Sequence, residues 1–198
     1  MVDRMGNEHL LRDLQNADGP RFSPDERRIA VSSIEQGHLD VRVYNLESGT
    51  LARLSFDGSN IQPEWTPDGR RVSFSSTSSD RPYRLFWTQA DGSGQASLLM
   101  ESGEPQTEHS WAPGGHSLVV RQNSPGTCFD LAVLSVDSPR TARAYLASQF
   151  NEFMPAISPD GRWLACVSNE SGPVTAGAGI SILPCAGMMG DLDFYTRL

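Results

Sequence analysis

Asp18, Asn60, Gln62, Glu108, His109, Asn151 and Glu152 stand just ahead of four copies of one short turn. The turns read Phe22-Ser23-Pro24-Asp25, Trp65-Thr66-Pro67-Asp68, Trp111-Ala112-Pro113-Gly114 and Ile157-Ser158-Pro159-Asp160, stepping by 43, 46 and 46 residues. If the copies fold alike, the seven polar side chains gather at one end of the molecule. A ring of carboxylate, amide and imidazole groups is chemically suggestive. Oxygen ligands of this kind suit Ca²⁺, with Glu108, Asn151 and Glu152 as the candidate metal set. Such an ion could polarise an ester or phosphoester. Polar residues also belong at loop ends and in a wet channel, so simple solvation is the plainer account of the ring. Arg21, Glu64 and Ser110, each directly before the aromatic of its turn, form a second repeated set and read as channel lining.

The elements that would position these groups follow from the repeat. A constant period of 40–50 residues with short alternating strands points to the blades of a β-propeller. Each unit runs turn, strand, polar turn, strand, Gly or Asp turn, strand. In the first unit these are Arg28–Ser33, Asp40–Leu46 and Leu51–Phe56. Blades are expected at about 18–56, 61–100, 107–147 and from 153 through 172 onward, with an outer strand at 2–11. The expected class is all-β, with about four four-stranded blades over residues 1–172. Residues 173–198 break the pattern, although Gly179–Pro184 and Leu192–Thr196 could supply the last strands of the fourth blade. Within the turn, proline presets φ, Asp caps through its carboxylate and the following glycine accepts positive φ. The aromatic before it can wedge between neighbouring blades.

These motifs resemble the TolB-like propeller repeat family, a relative of the WD-repeat propellers. The likeness rests on Pro63-Glu64-Trp65-Thr66-Pro67-Asp68-Gly69-Arg70 and on Pro159-Asp160-Gly161-Arg162-Trp163-Leu164-Ala165. It is nearest to propellers found C-terminal to bacterial serine/threonine kinases. The resemblance implies a non-catalytic module that grips a protein or peptide. By analogy with propeller enzymes that use a channel metal, the alternative is a hydrolase of small esters, lactones or phosphotriesters. Domains of this family usually have six or more blades, so two chains completing one eight-bladed ring as a homodimer is a further expectation.

Composition narrows the classes. A formal net charge of −8 and a pI near 4.9 disfavour nucleic acid and anionic membrane surfaces as partners. Cys128, Cys166 and Cys185 are too few and too scattered for a disulfide framework or a zinc site. The first 20 residues lack an apolar core of the signal-peptide kind, so as written the chain is expected in the cytoplasm. No GxSxG, P-loop, HExxH or GxGxxG motif occurs. His9, His38 and His116 read as exposed loop residues.

Overall fold

The computed structural model describes residues 6, 14, 16–78, 81–124, 126, 128–137, 140–170 and 179–184. Alternating apolar residues make short strands, and glycine or Asx turns reverse the chain between them. The first blade is β1 (Ala17–Phe22), β2 (Arg28–Glu35), β3 (His38–Asn45) and β4 (Leu51–Arg53). The second is β5 (Ser59–Trp65), β6 (Arg71–Ser78), β7 (Arg81–Gln89) and β8 (Ser97–Leu98). The third is β9 (Gln106–Trp111), β10 (Ser117–Ser124), β11 (Cys128–Ser135) and β12 (Thr141–Leu146). The fourth shows β13 (Glu152–Ile157), β14 (Trp163–Ser168) and β15 (Gly179–Pro184). Each sheet is an antiparallel meander in chain order.

The inner strands touch in sequence: β1 against β5, β5 against β9, and β9 against β13. The result is an all-β, four-bladed partial propeller. The third strand expected at Gly179–Pro184 is present. The outer strand at 2–11 and the strand at Leu192–Thr196 lie outside the described residues. No helix among those residues is long and apolar enough to cross a membrane.

The core is three separate clusters, one at each blade junction. Ala30, Val41, Val43 and Leu54 meet Trp65, Val72 and Phe74. Leu85, Leu99 and Met100 meet Trp111, Leu118, Val120 and Leu134. Val119, Leu131, Val133 and Tyr145 meet Leu164 and Cys166. Each fully buried Leu or Phe contributes roughly 1.5–3 kcal/mol, so the blades depend on one another. On the outermost blades Phe22, Trp163, Ile180 and Ile182 remain exposed. These are the ends through which a second copy would have to close the expected ring.

The recurrent turn turns out to serve two scales. Locally, Thr66 Oγ1 donates to Asp68 Oδ1 at 2.6 Å and accepts the Arg71 amide at 3.0 Å. Asp68 Oδ1 also accepts the Arg70 amide at 3.0 Å. Ser23 with Asp25 and Ser158 with Asp160 repeat this geometry. The donors hold the carboxyls of Asp25, Asp68 and Asp160 below the usual range, with the serine or threonine hydroxyl the largest cause. Between blades, the turns nest. Pro24 lies against Gly69, and Pro67 against Gly115. Arg28 donates to the Gly69 carbonyl at 2.9 Å while its guanidinium covers Trp65 at 4.6 Å. Asp68→Ala removes both acceptor bonds from a solvent-exposed turn, and should cost about 1 kcal/mol in urea unfolding. An unchanged midpoint would show that the turn does not need its carboxylate.

Candidate functional site

The inner strands carry the polar groups singled out in the sequence. Three of the four bend at a bulge where one residue takes positive φ: Gly19 (60°), Gln62 (55°) and Met154 (49°). At such a bulge the strand re-aims its neighbouring side chains. Blade equivalence, counted back from the repeated turn, aligns Asn60, Gln106 and Glu152.

Those three side chains are buried, at 1%, 0% and 2% exposure, and do not stand open at a channel mouth. Asn60 Nδ2 donates to the carbonyls of Asp57, at 2.8 Å, and of Leu39 in the preceding blade, at 3.4 Å. Ser148 Oγ donates to Glu152 Oε1 at 2.8 Å. Asn151 Oδ1 accepts the Phe129 amide at 3.2 Å, joining blade four to blade three. Glu108 does the same from the other side. Its Oε2 accepts the Met154 amide at 2.9 Å, and its Oε1 lies 3.5 Å from Arg121. Arg121 in turn lies 4.4 Å over Phe129 and donates to Thr107 Oγ1 at 2.8 Å. Asp18 is exposed and its Oδ1 accepts the Gly19 amide at 2.8 Å.

The second set lies along the inner strands. Arg21 Nε donates to Glu64 Oε1 at 2.6 Å, pairing blades one and two. Burial raises the Glu64 carboxyl above its usual value, and Arg21 opposes the shift. Ser110 Oγ accepts the Ile157 amide at 3.0 Å, pairing blades three and four. Among the described residues, no three of His, Cys, Asp and Glu stand together as a metal-binding group.

His109 is the largest departure from the mouth position its sequence place suggests. It is 4% exposed, sealed between blades two and three. Its Nδ1 lies 3.2 Å from the Thr107 carbonyl, which can only accept, so Nδ1 carries the proton. Nε2 is then an acceptor, and Ser73 Oγ donates to it at 2.8 Å. Trp111 Nε1 donates to the same hydroxyl at 2.8 Å. A serine hydroxyl paired with histidine is also how a nucleophile and its base look. Here the serine is 0% exposed and already holds an indole donor, so no substrate can reach it. The trio is a latch between blades. Burial pushes the His109 pKa down to about 4, with the Thr107 carbonyl working against the shift. Ser73 and the equally buried Ser75, which donates to the Thr107 carbonyl at 2.9 Å, were not apparent as functional from sequence. Their signal is two small hydroxyls on alternate positions, either side of Phe74 in β6.

Cys166 is a buried free thiol whose pKa rises to about 11, first through burial and then through Glu152. It is inert at neutral pH.

Blade order, nested turns and inner-strand bulges define a β-propeller of short meander blades. Residues 8–176 match the TolB beta propeller domain, and the chain belongs to that family. It is 37% identical over 65 residues to the Tol-Pal system protein TolB of Alcanivorax borkumensis, covering 32% of this chain and 15% of that protein. The fold is similar to that of TolB from Acinetobacter baumannii, with TM-score 0.76, 18% identity, and coverage of 93% of this chain and 45% of the other. A putative TolB from Agrobacterium tumefaciens gives TM-score 0.74 at 17% identity, over 85% of this chain and 61% of the other. The chain thus spans less than two thirds of the length of these relatives.

Proposed function

We propose that the chain is a non-catalytic binding module for a protein or peptide, using the loops that lead into the inner strands. The observation that carries this is how the polar groups at that end are spent. Glu64 holds Arg21, Glu108 holds Arg121 and the Met154 amide, Asn60 holds two carbonyls, and His109 is sealed on Ser73. Groups committed to joining blades are poorly placed to turn over a substrate, so the ester-hydrolase alternative gains no support from them. What faces outward is a contact surface of mixed character. It includes the exposed Asp18, the 44%-exposed side chain of Arg21, and Met154 at 63% exposure. An exposed thioether, on a residue whose amide the Glu108 carboxylate holds, suits an adaptable peptide contact.

The test is to select peptides on the immobilised protein and measure the recovered sequences by calorimetry against Asp18→Lys/Met154→Glu. Loss of at least roughly tenfold in affinity is expected, as for a contact residue made repulsive. Equal affinity for the double variant, or saturable metal-dependent hydrolysis of a nitrophenyl ester by the unaltered protein, would overturn the reading.

A further inference from the structure

A cleft of about 690 Å³ opens between blades one and two and takes in Asn60 at the start of β5. Its cause is local. β4 has three residues and β8 has two, whereas the outer strand β12 has six. The outer halves of the two blades are therefore left apart. Phe74 and Phe86 line the floor as a stacked pair, ring centres 6.3 Å apart and 21° from parallel. Leu54 and the 62%-exposed Phe56 supply the facing wall from the connection after β4.

Beside this apolar floor stand two guanidinium groups, Arg81 and Arg84. The acidic groups bordering the cleft are Asp57 and Glu101. Arg84 Nη1 donates to Glu101 Oε2 at 3.1 Å, but the Glu101 side chain is 78% exposed. Arg84 Nε is buried and finds no acceptor among the described residues. Guanidinium matches a planar carboxylate through two parallel bonds.

We propose that this cleft binds a molecule joining an aromatic or branched apolar group to a carboxylate. The apolar body lies on Phe86 and the exposed Phe56, with Phe74 behind Phe86 in the core. The carboxylate takes Nη1 and Nη2 of Arg84 and displaces Glu101 from Nη1, so that Glu101 acts as a built-in competitor. Such a group is found both in a free amphipathic acid and in the C-terminal residue of a peptide. The lining takes in Asp57, Gly58 and Asn60 on the way into β5, but its aromatic and guanidinium groups are not those of the contact surface at Asp18, Arg21 and Met154, so a failure of that reading leaves this one standing.

The experiment is an amide NMR titration with N-acetylphenylalanine, its neutral amide, and N-acetyl-Gly-Gly-Phe with a free C-terminus. Saturable shifts confined to β6, β7 and the 54–60 connection are expected for the acids, with Kd on the order of 1 mM or tighter. Tighter binding of the tripeptide assigns a peptide C-terminus, and tighter binding of N-acetylphenylalanine assigns a free acid. Arg84→Met should weaken the acids by roughly tenfold, the scale of a charge-assisted pair. Glu101→Gln should strengthen them about threefold by removing the competitor. A merely structural Arg84–Glu101 pair gives no such opposite effects. The glutamine variant leaves the packed residues untouched and keeps the test open if Arg84→Met fails to fold. Equal binding of acid and neutral amide, no saturation, or unchanged affinity in Glu101→Gln would overturn the proposal.

Discussion

Trp111→Ala should lower unfolding free energy by roughly 3–5 kcal/mol, the range for emptying a buried aromatic site. Trp111 is 8% exposed and lies nearly parallel to Trp87 of the preceding blade, ring centres 6.2 Å apart at 10°. Its truncation removes that stack, opens a cavity in the junction between blades two and three, and takes the indole donor away from Ser73. The control lies in the repeat itself. Phe22 occupies the same motif position in the first blade but is 55% exposed. Phe22→Ala should cost less than about 1 kcal/mol, as expected for a largely solvated side chain. Urea unfolding followed by circular dichroism compares the two. Equal losses at the two positions would mean that the aromatic acts within its own turn and not between blades.

That contrast also shows what a sequence of this kind can disclose. The turn spacing gave blade number and strand order, because proline, Asp and glycine act locally and need no partner to be recognised. The wedge role of Trp65 and Trp111 was legible for the same reason. Trp65 Nε1 indeed donates to the Arg21 carbonyl of the blade before, at 2.9 Å. The polar ring was harder to read. Asp18, Asn60, Gln62, Glu108, His109, Asn151 and Glu152 recur in the right places, but recurrence along the chain does not say which way a side chain points. The bulges at Gly19, Gln62 and Met154 shift the alternation by a residue. With the register shift that β9 shows opposite Val120 and Gln122, they turn Asn60, Gln106 and Glu152 into the blade junctions. A bulge of this kind carries no fixed residue type, as glycine, glutamine and methionine show. The His109–Ser73 latch was illegible for a second reason: its members are 36 residues apart and meet only once two blades pack. The cleft between blades one and two depends on how early β4 and β8 end, and strand ends are the least predictable boundaries from sequence.

Acidification from pH 7 to pH 4 should remove up to about 3 kcal/mol of stability through His109 alone. The figure follows from a pKa near 4 in the folded chain against an ordinary 6.5, at 1.36 kcal/mol per unit. Between these values the unfolded imidazole binds a proton and the folded one does not. The unfolded state therefore holds more protons, stability rises with pH across the window, and it is lost as pH falls through it. Protonating the folded ring would place a charge in a sealed junction and turn Nε2 into a donor, so that the Ser73 hydroxyl must swing its proton to the Glu64 carbonyl 3.2 Å away. Glu64 works in the opposite sense. Its raised carboxyl keeps a proton longer in the folded state, so its contribution declines as pH rises above its ordinary value of 4.5. The turn aspartates lie below their ordinary 3.8, so their stabilisation is lost only at lower pH. His109→Gln keeps a donor and an acceptor in the junction but does not titrate, and should flatten the slope between pH 6.5 and 4. Urea unfolding at half-unit pH steps decides the matter. A wild-type chain equally stable at pH 7 and 4.5, or a glutamine variant with an unchanged slope, would show that the junction admits water and does not hold the imidazole neutral.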